Sequence, residues 1–146
     1  MLVPAEREHI PDLAARMREW DATECRAMGR EPADALADGV SRSLWALTAM
    51  VDGKPEAMMG VVPLSVIEGT GVPWMLGTEA VYAHARDLVR FGPGIIEEME
   101  ATFPTLANFV AAGNARAITF LKHWGWRISS KRVAVGGVDF VEFSNV

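Results

Sequence analysis

The chain has 146 residues, half of them hydrophobic and 23% charged, with a formal net charge of −5. That length and balance fit one globular domain able to bury a core, and they exclude a disordered chain. The acid excess argues against nucleic acid as a partner, since phosphate binding needs a basic surface. No stretch approaches the roughly 20 apolar residues of a membrane span, so no membrane partner is expected either. The single cysteine, Cys25, cannot form an internal disulfide. The N-terminal Met-Leu-Val-Pro-Ala-Glu-Arg-Glu brings in charges before any apolar core of signal-peptide length. The expected compartment is therefore the reducing cytoplasm.

Taken in order, residues 2–5 read as a short strand. Pro11 opens a helix, where its missing amide costs nothing, and Ile10, Leu13, Met17 and Trp20 recur at helical spacing, predicting one helix to about Met28. Gly29 and Pro32 interrupt the chain. Residues 33–42 read as a second helix with Ala33, Leu36, Ala37 and Val40 inward. Leu44 to Val51 is an apolar run suited to a buried strand, and Asp52-Gly53 marks a hairpin. Glu56 to Ile67 is the return strand, with Pro63 predicting a bulge. After Gly69-Thr70-Gly71 a further strand runs from Val72 to about Val81. Tyr82 to Phe103 reads as a loop and a helix, Leu106 to Ala112 as a strand. Residues 127–135 and 138–143 form a last pair of strands around Gly136-Gly137, a two-residue hairpin signal.

The most informative stretch is Asn114 to Trp126, NARAITFLKHWGW. Asn114 suits an N-cap and Gly125 the left-handed position past a helix end. Ala117, Ile118, Phe120, Leu121 and Trp124 make a broad apolar face. With Asn114, Ala117, Ile118, Phe120, Leu121, Gly125 and Trp126 in place, the stretch resembles the late segment of the GNAT superfamily of N-acetyltransferases. The element order β-α-α-β-β-β-α-β-α-β-β matches that superfamily across the whole chain. The fold class implied is α/β (α+β): a mixed, mostly antiparallel sheet with helices on both faces, in one domain spanning 1–146.

The resemblance implies acetyl-CoA as co-substrate, lying between the strand that ends near Val81 and the strand that starts at Leu106; Gly77 inside the first reads equally as a bulge that bends it away or as a close-packing glycine. The phosphate-binding loop departs from the family pattern within VYAHARDLVRFGPG. One placement puts Gly92 and Gly94 in the glycine positions. The other starts the helix near His84 and sets Arg86 and Arg90 one turn apart for charge-assisted contacts to phosphate. Val81, Asn114, Ala117, Phe120 and Leu121 complete the expected cofactor contacts. The tyrosine that many relatives use as general acid is replaced here by Leu121. Glu79 is the first candidate for the base that deprotonates the acceptor, its pKa raised if it sits among Trp74, Leu76 and Tyr82; Tyr82 and His84 are the second candidates. His9, His84 and His123 are scattered without metal spacing, and no metal is expected.

These features imply an acyl-CoA-dependent N-acyltransferase that moves an acetyl group to a small-molecule or peptide amine by direct attack. Glu24, Glu31, Asp34 and Asp38 make the acceptor side acidic, which suits a cationic amine. The apolar C-terminal hairpin offers a surface for a homodimer. An alternative reading is that the chain resembles small GNAT-like proteins of tailed phages, which share His-x-Arg, here His84-Ala85-Arg86, and the Asn-to-Gly-aromatic helix. Such a protein would keep the fold for a structural or host-interaction role.

Overall fold

The computed structural model describes residues 1–146. The elements are β1 (Leu2–Pro4), a 3-10 turn at Arg7–His9, α1 (Ile10–Ala15), α2 (Glu19–Ala27), α3 (Pro32–Arg42), β2 (Trp45–Val51), β3 (Lys54–Ser65) and β4 (Thr70–Gly77). They continue as α4 (Ala80–Ala83), α5 (Ala85–Thr102), β5 (Thr105–Ala111), α6 (Ala115–His123), β6 (Arg127–Val135) and β7 (Val138–Ser144). The strands form one sheet in the order β1-β2-β3-β4-β5-β7-β6. Every neighbouring pair is antiparallel except β4 with β5.

The period-2 geometry of β3 divides the core. Met58 faces Ile10, Leu13 and Leu36 of α1 and α3. Ala57 and Met59 point the other way, onto Val81 and Tyr82 of α4. Val61 joins Met99, Phe103, Leu106, Trp126 and Phe143 in the largest cluster, under α5. Trp126 and Phe143 meet edge to face at 5.3 Å between ring centroids, the arrangement favoured by the ring quadrupoles.

Three turn signals behave as their residue types require. Gly136 and Gly137 have φ of 58° and 80°, the doubly left-handed pair of a type I′ hairpin. Pro63 sits at a register shift between β3 and β4. Gly125, at φ 89°, follows α6. The Gly125 amide donates to the Lys122 carbonyl and the Trp126 amide to the Leu121 carbonyl, which is the Schellman closure of a helix end.

Three expectations need correction. The first predicted helix is two, broken at Arg16–Arg18. There Arg16 binds both Glu56 carboxylate oxygens at 3.1 Å, and the Arg18 amide donates to the Gly77 carbonyl at 2.8 Å. Tertiary partners thus replace intrahelical ones. The strand expected to reach Val81 ends at Gly77, and Val81 lies in α4 within the core. Gly77 makes no bulge, because it pairs in register with Ala57. A Cβ there would meet Val81 at 2.6 Å and the Glu56 carbonyl at 2.8 Å, so this glycine serves close packing.

Candidate active site

The gap between β4 and β5 begins where their pairing stops. The two strands share only two ladder positions, Thr70 with Thr105 and Gly71 with Leu106. From Ala107 onward β5 pairs with β7, while β4 stays on β3. One side-chain rung follows, Asn108 Nδ2 donating to the Pro73 carbonyl at 2.8 Å. Beyond it lies a cleft of about 300 Å3. Asp21, Glu24 and Cys25 of α2 line one side, and Ala117, Phe120, Leu121 and Trp124 of α6 line the other.

The α2 wall is a polar network built around one buried cation. Arg18 is 5% exposed. Its guanidinium donates to Asp21 Oδ1 at 3.1 Å and to Asn114 Oδ1 at 2.9 Å. Its Nε lies 3.7 Å from Glu79, and its plane lies 4.5 Å over the Tyr82 ring. Asp21 Oδ2 accepts the Gly77 amide at 2.9 Å. Glu24 Oε2 accepts the Ala111 amide at 2.7 Å and Asn114 Nδ2 at 3.3 Å. The two parted strands are therefore bridged by carboxylates of α2.

Two carboxylates withdrawn from water, Asp21 and Glu24, stand near one buried guanidinium, with Glu79 at the exposed rim. Burial pushes the Asp21 carboxyl up to about 6, against the pull of the Gly77 amide and Arg18. Burial pushes Glu24 up to about 7, with the Ala111 amide and Asn114 pulling down and Asp21 adding to the rise. Tyr82 is raised to about 12, again chiefly by burial, so its hydroxyl keeps its proton throughout the neutral range.

No sequence-family model matches the chain, and no curated protein matches it in sequence. Solved structures do. The ribosomal-protein-alanine N-acetyltransferase from Brucella melitensis superposes with a TM-score of 0.68 at 16% identity, covering 100% of this chain and 99% of that one. AAC(6')-Ib in complex with ribostamycin and coenzyme A gives 0.69 at 12% identity, covering 100% and 92%. A probable acetyltransferase (GNAT family) from Chromobacterium violaceum gives 0.69 at 14% identity, covering 98% and 85%. The chain has the GNAT fold.

On this GNAT scaffold the predicted site residues separate into groups. Tyr82, Asn114, Ala117, Phe120 and Leu121 all line the cleft. Asn114 is 1% exposed but does not cap α6 with its side chain, because Arg18 and Glu24 occupy its oxygen and nitrogen. Arg86 and Arg90 lie exposed in the first turns of α5 and pair with no carboxylate. The placement of Gly92 and Gly94 in a phosphate loop does not hold, since both lie inside α5 around Pro93. Gly92 instead makes room for Trp124, whose ring a Cβ would overlap. Glu79 is 74% exposed at its side chain and does not line the cleft. His84 stands exposed at the N-cap position of α5 and does not line the cleft. Of the cleft carboxylates, Glu24 is expected from the sequence only as one of the acids on the acceptor side, and Asp21 is not singled out, although their three-residue spacing sets them on one helix face.

The raised carboxyls make stability depend on pH with a definite sign. The reference values are 3.8 for Asp21 and 4.5 for Glu24. Between that range and about 7 the folded protein holds more protons than the unfolded chain, so stability falls as pH rises. For Glu24 alone the loss is about 3 kcal/mol by pH 8. Asp12, lowered chiefly by its hydrogen bond from Arg16, acts below this window. Urea denaturation at pH 5 and pH 8 should give the higher midpoint at pH 5, and Asp21→Asn with Glu24→Gln should flatten the difference. A wild-type midpoint that rises with pH would refute the buried charge pattern.

Proposed function

We propose that the protein transfers an acetyl group from acetyl-CoA to an amine by direct attack on the thioester within the β4–β5 cleft. The observation that carries this reading is the parting of β4 from β5 after two ladder positions, with buried carboxylates on one side of the opening and an apolar helix face on the other. Arg86 and Arg90, exposed and unpaired on α5, have the charge to hold the phosphates of the donor. Acids on the α2 side favour a cationic amine, small molecule or peptide.

In the proposed reaction the amine nitrogen bonds to the thioester carbon and the carbon–sulfur bond breaks. The amine proton passes to Glu24, which is half-buried with its carboxyl on the cleft. A base titrating near 7 is suited to this task at neutral pH. The departing thiolate has an ordinary pKa of about 8.5 and can leave unprotonated. The Tyr82 hydroxyl, which keeps its proton, can donate a hydrogen bond to it where Leu121 cannot, and the proton on Glu24 then passes to solvent. Glu79 keeps a place at the rim, steering Arg18. The Gly77 amide can serve the carbonyl oxygen once Asp21 swings off it.

That last contact also favours a second reading. With Asp21 on the Gly77 amide and Glu24 on the Ala111 amide, backbone donors of the cleft are already engaged. A GNAT-like protein without transfer activity, serving a structural or host-interaction role, would retain such a plug.

Titration calorimetry with acetyl-CoA separates the two. The transferase reading expects one-site binding and a thermal shift. Arg86→Ala with Arg90→Ala should then weaken binding by about tenfold or more, given the strength of hydrogen bonds to charged groups. No heat at millimolar acetyl-CoA would favour the second reading, and unchanged affinity in the double variant would remove the phosphate assignment.

A further inference from the structure

A second cavity, of about 200 Å3, lies between α5 and the sheet. Ala49, Met59 and Met75 wall it from the sheet, Leu88 and Ile95 from α5. The charged or titratable groups on it are Glu56, His84 and Asp87, and Glu56 is already held by Arg16 and by the Thr78 hydroxyl. Of the Gly92-Pro93-Gly94 run of α5 only Gly92 lines it, and the Trp124 ring packs against that glycine. Met75, Leu121 and Trp124 line this cavity and the cleft alike, so the two spaces adjoin. At their common wall Trp124 Nε1 is buried and has no acceptor.

We propose that the acyl donor is a fatty-acyl thioester, its chain lying in the apolar cavity beneath α5. This rests on the acyltransferase reading and refines its substrate class; the bonds made and broken are those given above. Between Met59, Met75 and Ile95 the walls offer no hydrogen-bond partner, so an apolar chain lies there without loss and a polar one does not. At about 30 Å3 per water-sized group, the space takes six or seven such groups, about the length of an octanoyl tail.

Calorimetry on the full chain with acetyl-CoA and octanoyl-CoA tests this. Each methylene taken out of water is expected to tighten binding by about fourfold at best, so octanoyl-CoA should bind about tenfold or more tighter than acetyl-CoA. Ala49→Leu and Leu88→Trp fill the cavity from opposite walls. In either variant, checked for folding by its melting transition, the octanoyl-to-acetyl affinity ratio should fall toward one. Two variants keep the test decisive where one filling prevents folding. Acetyl-CoA binding as tightly as octanoyl-CoA, or a ratio that survives the filling, would overturn the fatty-acyl inference and leave acetyl transfer standing. If neither thioester binds, the acyltransferase reading fails with it.

Discussion

Glu24→Gln is expected to lower the rate of acyl transfer by about a hundredfold to ten-thousandfold, the contribution typical of a positioned general base. The substitution is chosen because it preserves geometry. A glutamine carbonyl can still accept from the Ala111 amide and from Asn114 Nδ2, the two donors that hold Glu24 now. What disappears is the capacity to take a proton. The wild-type rate should therefore climb with pH through about 7, where burial has moved this carboxyl, and the variant should lack that limb while binding the donor as before. A kcat/KM profile over pH 5 to 9 reads both effects. If Glu24→Gln leaves rate and profile intact while Glu79→Gln abolishes the limb, the base is the exposed carboxylate at the rim and the assignment made here is wrong.

Arg18→Met should cost about 3–5 kcal/mol of stability at pH 8, the usual penalty for removing one partner of a buried ion pair. The methionine matches the apolar stem but leaves Asp21 without its cation and Asn114 Oδ1 without its donor. It also removes the cation stacked on Tyr82. The loss should shrink at pH 5, because the orphaned carboxyls can then take protons instead of carrying buried charge. Chemical denaturation at the two pH values measures the difference. A loss under about 1 kcal/mol at pH 8 would mean that the network is solvated and holds nothing together.

Much of the architecture was legible in the chain because the decisive signals are local. Gly125 closes α6, Gly136-Gly137 turns the last hairpin and Pro63 marks a register shift, each through backbone freedom or its lack. The break at Arg16–Arg18 was not legible. No glycine or proline stands there, and Met17 and Trp20 continue the helical spacing. The cause lies far off in sequence: Arg18 reaches Asn114, 96 positions away. The same holds for the acids of the cleft. Asp21 finds the Gly77 amide 56 positions on, and Glu24 the Ala111 amide 87 positions on. Periodicity can place them on a face of a helix, but only the fold removes water from them. Gly92-Pro93-Gly94 misled in the opposite direction. Its composition reads as a loop, whereas packing against Trp124 keeps it helical.

The two ladder positions between β4 and β5 have a mechanical meaning. The sheet is a four-stranded plate and a three-stranded plate, each laddered within itself apart from local register shifts, meeting along a narrow seam. Near the far end of that seam α2 acts as a strap, tied through Asp21 to one plate and through Glu24 to the other. With the Asn108–Pro73 rung, these two carboxylate ties set the distance between the plates, so the width of the opening is fixed by α2 as much as by the sheet itself.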